Sequence, residues 1–232
     1  TRKLIWSRKE IPVADYLMSF SDNICKEFLT GFNTLEEAIK SRCVRAVDGS
    51  IHNTEYDPDN KSLVQQDENN AWHPNPNIWK TVGFKFTRND DQKKVSLRIS
   101  EEQAVNFPTA YKLLKEFDNI CPVMSINSLA PHSIIHRHPD PENLEGKYIR
   151  IHVPLIIPKG DAFFEVRGQE VSWKDLFGFD NSVIHSAHNY TDEYRLILLI
   201  DLERTAIGLE PGIPFDYNSE KTVPPFVRGY LW

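Results

Sequence analysis

The sequence predicts a mainly β protein, a sandwich or barrel of short strands buttressed by N-terminal helices, and three observations carry that prediction. First, strand-like runs follow one another over Val123–Leu129, Ile134–His138, Tyr148–Ile157, Ala162–Val166, Val183–His188 and Arg195–Leu202, with turn formers Gly160-Asp161 and Arg167-Gly168 between some of them. Short strands at such spacing mark sandwiches and barrels. Second, Tyr148 to Leu155 alternates: Arg150 and His152 fall on one face of an extended chain, and Ile149, Ile151, Val153 and Leu155 on the other. Third, Leu17, Phe20, Ile24, Phe28 and Leu29 recur at helical spacings between Val13 and Phe32.

Taken in order, the first 46 residues read as a helical buttress: one helix or two broken near Ser21, then Leu35 to Ile39 capped by Asn33 or Thr34. Residues 47–78 turn polar and rich in turn formers, with His52, Tyr56, Trp72 and His73 among them. That stretch reads as a substrate lid or, equally, an exposed excursion anchored by Trp72. The barrel core is expected over 79–204. WKTVGFKFTR and KKVSLRI alternate as paired strands around Asn89-Asp90-Asp91, Ser100 with Gln103 resembles a capping box, and Pro108 to Phe117 makes a short amphipathic helix. The tail, 205–232, ends in aromatic residues that either pack over the barrel mouth or join a second copy in a homodimer.

Bulk properties bound the partners. The 232 residues suit one domain, and 40% hydrophobic content is that of an ordinary globule. No apolar run approaches the roughly twenty residues of a membrane span. A net charge of −6 with scattered cations lacks the basic stripe that nucleic acid requires. Cys25, Cys43 and Cys121 are too few and too scattered for a disulfide framework or a zinc site, and they read as reduced thiols of a cytoplasmic protein. The N-terminus lacks the apolar core of a secretory signal, although the chain begins without Met.

Chemistry is expected where polar groups interrupt apolar strands. His138-Pro139-Asp140 sets an imidazole and a carboxylate two residues apart, and His185 follows the apolar pair Val183-Ile184. Two histidines and a carboxylate form the facial triad that holds non-haem Fe(II) with coordination positions left open. Ten residues after His185, Arg195 opens a strand apolar on both faces, and a buried guanidinium there needs a carboxylate from protein or ligand. A 2-oxo diacid supplies one, its distal carboxylate held in a bidentate fork. His136 shares a strand face with His138 and could be the ligand, but Asp140 would then lie four residues away and the two-residue spacing would be lost, so His138 is favoured. His188 reads as a mouth or surface residue, His132 as a loop residue, Asp180 as a turn former, and Arg150 as a carboxylate clamp near the metal.

At these residues the chain resembles the aspartyl/asparaginyl β-hydroxylase-like family of Fe(II)/2-oxoglutarate-dependent dioxygenases. The matching elements are His138, Arg150-Ile151-His152, Phe179-Asp180-Asn181-Ser182 ahead of His185, and Arg195-Leu196-Ile197 leading to Asp201; the segment from His185 to Tyr190 is closer to bacterial proline hydroxylases. The resemblance covers about the C-terminal half. It implies a double-stranded β-helix (jelly-roll, cupin-like) barrel, with Fe(II) held by His138, Asp140 and His185, 2-oxoglutarate as cosubstrate, and O₂. Arg195, Asn127, Arg150 and His152 are then expected to bind the cosubstrate, and Asn189, Trp72 and His136 the substrate. Asn127 stands where the family often has Ser, and Asp140 where the family's hydroxylases often have Gly; a carboxylate there disfavours halogenation.

The implied reaction is hydroxylation of an unactivated C–H bond in a small carboxylate-bearing substrate, an amino acid or a derivative, with release of succinate and CO₂. Desaturation, cyclisation or protein side-chain hydroxylation would use the same residues. A non-catalytic jelly-roll binding protein would keep the strands without needing the polar residues to meet.

Overall fold

The computed structural model describes residues 3–45, 64–66, 72–74, 79–90, 93–98, 101–140, 143, 145–214 and 216. A short strand β1 (Ile5–Ser7) leads into a single 3-10 turn that is closed by a capping box in which Glu10 accepts from the Ser7 backbone and hydroxyl. The helical stretch is indeed broken. α1 (Ala14–Met18) and α2 (Ser21–Leu29) are separated at Ser19-Phe20, and the Ser21 hydroxyl donates back to Met18 O at 2.8 Å. α3 (Leu35–Arg42) begins at Thr34, whose hydroxyl accepts from Glu37 N at 3.1 Å, so Thr34 rather than Asn33 is the cap.

The strands follow as β2 (Val44–Arg45), β3 (Val64–Gln66), β4 (Trp72–Pro74), β5 (Trp79–Asp90) and β6 (Lys93–Arg98). After α4 (Glu101–Asn106) and α5 (Pro108–Phe117) come β7 (Val123–Leu129), β8 (Ser133–His138), β9 (Tyr148–Ile156) and β10 (Ala162–Val166). The last are β11 (Gln169–Ser172), β12 (Phe177–Phe179), β13 (His185–Asn189) and β14 (Arg195–Glu203). Within the stretch read from sequence as loop, β3 and β4 pair antiparallel. The rest of that stretch, Ser100 of the expected capping box and the C-terminal tail from 217 on lie outside the described residues, as do the expectations placed on them.

All strand pairings among the described residues are antiparallel. A large sheet runs β1-β12-β9-β14-β7-β5-β2, with β6 on β5, and faces a four-stranded sheet ordered β11-β10-β13-β8. This is the jelly roll that the sequence implied. From β7 to β14 every connection except the β10–β11 hairpin crosses between the sheets, so residues distant in sequence become cross-strand neighbours: Arg150 opposite Asp201, and His138 opposite His185. The hairpin joining β10 to β11 turns at Arg167-Gly168, both with positive φ (47° and 86°), the requirement of a tight primed turn.

Alternation along the large sheet divides the core in two. Ile149, Ile151, Val153, Leu196, Leu198, Ile200 and Leu202 face the helices, where they pack with Leu17, Ile24, Phe28 and Leu113. The opposite side faces the smaller sheet, where Leu129, Ile135, Phe164, Val166, Trp173, Phe177, Phe179 and Ile197 form a second apolar cluster. The helices therefore fix the back of the strands whose front carries the polar residues. Phe28, fully buried on α2 where that helix packs on β9, ties the two layers together. Phe28→Ala should lower unfolding stability by about 3–5 kcal/mol, read as a reduced urea midpoint with an unchanged slope.

Candidate active site

The alternation that predicted a polar face on Tyr148–Leu155 holds, and this face lines a cavity between the sheets together with groups from β7, β8, β13 and β14. His138 ends β8, and His185, its cross-strand partner, opens β13; their ring centroids lie 4.5 Å apart. Asp140 follows two residues after β8, where its N–H donates to Asn181 O at 2.9 Å. His138 Nε2 stands 3.7 Å from one Asp140 oxygen and His185 Nε2 stands 3.5 Å from the other. One ligand atom from each of the three lies within 4.8 Å of the other two. Adjacent donors bound at about 2.1 Å to one ion sit about 3 Å apart, so a small contraction closes the set.

The imidazole of His185 is prepared for such an ion. Its Nδ1 lies 2.8 Å from Val183 O, and since a carbonyl only accepts, Nδ1 carries the proton and the Nε2 lone pair points toward Asp140. Burial and the adjoining His138 push the His185 pKa down to about 3, against the pull of Asp140, so the ring is neutral at pH 7. Burial raises the Asp140 carboxyl, but Arg150, His185, His138 and the Asn181 amide outweigh it and hold the group below the usual carboxylate range.

Arg150 sits where it was not expected to act. Its Nε and one terminal nitrogen donate to the two oxygens of Asp201, each at 2.7 Å, and its other terminal nitrogen donates to Asp140. Asn181 Nδ2 donates to the same Asp140 oxygen at 3.2 Å, while its own oxygen accepts from Asn143 at 2.6 Å. The guanidinium is thus engaged by two protein carboxylates, and the geometry makes it a brace for Asp140 rather than a clamp for a ligand. Neither Asp201 nor Asn181 had been given a role from sequence, although both lie in the quoted motifs.

Arg195 is the converse case. It is 2 % exposed, has no carboxylate partner among the described residues, and its Nε makes no hydrogen bond. One terminal nitrogen reaches Asn127 O at 3.4 Å, and the guanidinium carbon lies 4.5 Å from the centre of the Trp173 ring. Burial alone pulls its pKa down to about 9, which still leaves a cation at pH 7. Asn127 and His152 line the same cavity, whose remaining wall is apolar and includes Trp79, Ile135, Phe164 and Phe179. His152 accepts a hydrogen bond from Trp173 and is ringed by Phe164, Phe177 and Phe179; burial first, then Arg195 and Arg150, push its pKa well below the usual value.

Asn189 is not brought to the cavity chemistry. Its amide donates to Leu129 O, Ala130 O and Glu193 O, and its oxygen accepts from Thr191 N and Oγ1, so the whole group stitches two loops together. It does not orient His185, which Val183 does. Asp180 is the expected turn former, accepting from Ser182 N and Oγ, and it also pairs with Arg204 at 3.0 Å. His132 is a loop residue paired with Asp192. His188 is 8 % exposed rather than superficial, bonded to Ser186 and stacked on Phe163. The side chains of Trp72 and His136 lie outside the described residues, and with them the substrate roles expected there.

Two imidazoles, a carboxylate and a buried cation with no carboxylate partner among the described residues thus gather around one cavity of a jelly roll, a donor set that could hold a metal ion beside an acidic ligand. The family model for aspartyl/asparaginyl β-hydroxylase matches residues 46–205, and the chain belongs to that family. It is an Fe(II)/2-oxoglutarate-dependent oxygenase that uses O₂. Solved structures are similar at low identity. An oxidoreductase of the 2OG-Fe(II) oxygenase family from Burkholderia pseudomallei is 12% identical over 59% of this chain and 71% of its own, with a TM-score of 0.42. A viral collagen prolyl hydroxylase from Paramecium bursaria Chlorella virus-1 is 9% identical over 54% and 79%, with a TM-score of 0.34. A predicted oxalate decarboxylase from Thermotoga maritima is 16% identical over 61% and 98%, with a TM-score of 0.32. So distant a likeness says nothing of what this chain acts on. No curated protein matches it. No helix among the described residues is long and apolar enough to cross a membrane.

The neutral imidazoles have a consequence for stability. Folded His185 and His152 titrate below the ordinary histidine value of about 6.5, so below that pH the unfolded chain binds more protons than the folded one. Their contribution is complete above pH 6.5 and is lost as pH falls below it, for His185 down toward about 3. The metal-free protein should melt at a lower temperature at pH 5 than at pH 7.5, and His152→Gln should show a smaller difference; scanning calorimetry at the two pH values checks both.

Proposed function

We propose that His138, Asp140 and His185 hold the iron and that Arg195, with Asn127 and His152, binds 2-oxoglutarate, for hydroxylation of an unactivated C–H bond in a small carboxylate-bearing molecule, an amino acid or a derivative. The observation that carries this reading is the Arg195 guanidinium: a buried cation with no carboxylate partner among the described residues is costly unless a ligand brings one. The donor set fits the metal equally well, with one carboxylate oxygen and two imidazole nitrogens, and three protein ligands leave positions for a chelating oxo acid and O₂. Bound together, the iron, 2-oxoglutarate and O₂ supply the oxidising power, with succinate and CO₂ as by-products.

The chain's own residues do the rest. Val183 O fixes the His185 ring, and Arg150 and Asn181 hold Asp140 with its oxygens toward the two imidazoles. Arg150 is accordingly assigned to Asp140 and Asp201, and the cosubstrate to Arg195. The apolar wall of Trp79, Ile135, Phe164 and Phe179 keeps water from the reacting centre and suits the hydrocarbon part of a small substrate. Asp140 favours hydroxylation over halogenation, because a carboxylate occupies the position a halide would need.

His138→Ala and His185→Ala should abolish Fe(II) binding in calorimetric titration and succinate formation with it. Arg195→Ala should bind Fe(II) normally but raise the KM for 2-oxoglutarate by roughly 30-fold or more, the cost of removing one partner of a buried charge pair. Full turnover by Arg195→Ala at low 2-oxoglutarate would remove that residue from its role. Mass spectrometry of a panel of amino acids and related acids should find a product heavier by one oxygen; loss of two hydrogens instead would indicate desaturation or cyclisation.

A further inference from the structure

Trp173 lies just beyond β11, is 1 % exposed, and has no part in the roles assigned above. Both ends of its chemistry are nevertheless in use. Its Nε1–H donates to His152 Nδ1 at 3.1 Å, and its ring face carries the Arg195 guanidinium at 4.5 Å. An indole N–H can only donate, so His152 Nδ1 must offer a lone pair, and the neutral ring keeps its proton on Nε2. Phe164, Phe177 and Phe179 pack edge-to-face around the imidazole at centroid distances of 4.9, 5.2 and 5.2 Å. A guanidinium over an indole is among the stronger cation–π pairings once desolvated, and among the described residues it is the principal contact Arg195 has besides Asn127 O.

We propose that Trp173 is a positioning residue for the cosubstrate: through its N–H it locks His152 in the tautomer that presents a donor to the cavity, and through its ring it seats Arg195 at the depth where the distal carboxylate arrives. This rests on the 2-oxoglutarate reading and adds a residue to it. Trp173 also sets a preference, since an oxo acid without a distal carboxylate leaves the seated guanidinium unmet.

The test is Trp173→Phe, which keeps an aromatic face and deletes the N–H. With Fe(II)-loaded protein under anaerobic conditions, calorimetry should show about a tenfold weaker Kd for 2-oxoglutarate and an unchanged Kd for Fe(II). Nitrogen-15 NMR of histidine-labelled, metal-free protein should show His152 as the Nε2–H tautomer in the wild type and as a mixture in the variant, a change that mere core filling would not produce. Equal 2-oxoglutarate affinity in the variant, or an unaltered His152 tautomer, would overturn the proposal. So would a wild-type His152 found protonated on Nδ1, a result that needs no variant to fold. Wild-type protein that binds Fe(II) but no 2-oxoglutarate would instead overturn the cosubstrate reading on which the proposal stands.

Discussion

The site depends on one chain of alternating charges, Asp201 to Arg150 to Asp140, buried between the sheets. A lone carboxylate at Asp140 would be too costly to bury ionised, and a lone arginine beside it would occupy the carboxylate oxygens and repel a cation. Asp201 resolves the conflict by taking two of the guanidinium's donors, which leaves Asp140 oriented by Arg150 but not neutralised by it. Asp140 and Asp201 are both engaged by Arg150, so Arg195 is left without a carboxylate among the described residues, while His152 and His185 stay neutral. Fe(II) and the 2-oxoglutarate dianion cancel each other in turn, so loading leaves the buried charge where it was.

The fold produces this arrangement because a jelly roll brings distant segments into register. The smaller sheet contributes His138 and His185 as cross-strand partners, and the larger contributes Arg150 opposite Asp201 and His152 opposite Leu199. Strand period does the sorting: each polar group faces the cavity while its neighbours pack toward the helices, so rigidity at the back becomes geometry at the front. The turn at Asp180–Ser182 completes the set, since it both ends β12 and carries the Asn181 amide to Asp140.

Much of this was legible in the chain itself. Alternation alone placed Arg150 and His152 on one face, the two-sided apolar run made Arg195 a buried cation, and α5 was read with its observed bounds. What sequence could not give was register between strands with no turn joining them. Asp201 lies fifty-one residues from Arg150, so nothing local announces that they meet, and from sequence Arg150 reads as a ligand clamp. Asn189 was misplaced for the opposite reason: a family likeness drew it to the substrate, while the local pattern Asn189–Tyr190–Thr191, an asparagine accepting from the backbone two residues on, already pointed to a turn. Trp173 left no trace, because an indole amid polar turn residues reads as an anchor until its two partners are known.

The central claim, that three side chains from both sides of a loop and two strands share one ion while Arg195 waits for a diacid, is tested most directly by a crystal structure of the protein soaked anaerobically with Mn(II) and 2-oxoglutarate. One metal should appear bound by His138, Asp140 and His185, with the distal carboxylate in hydrogen-bond contact with the Arg195 guanidinium. A metal held by other residues, or a diacid bound out of reach of the Arg195 guanidinium, would contradict the account.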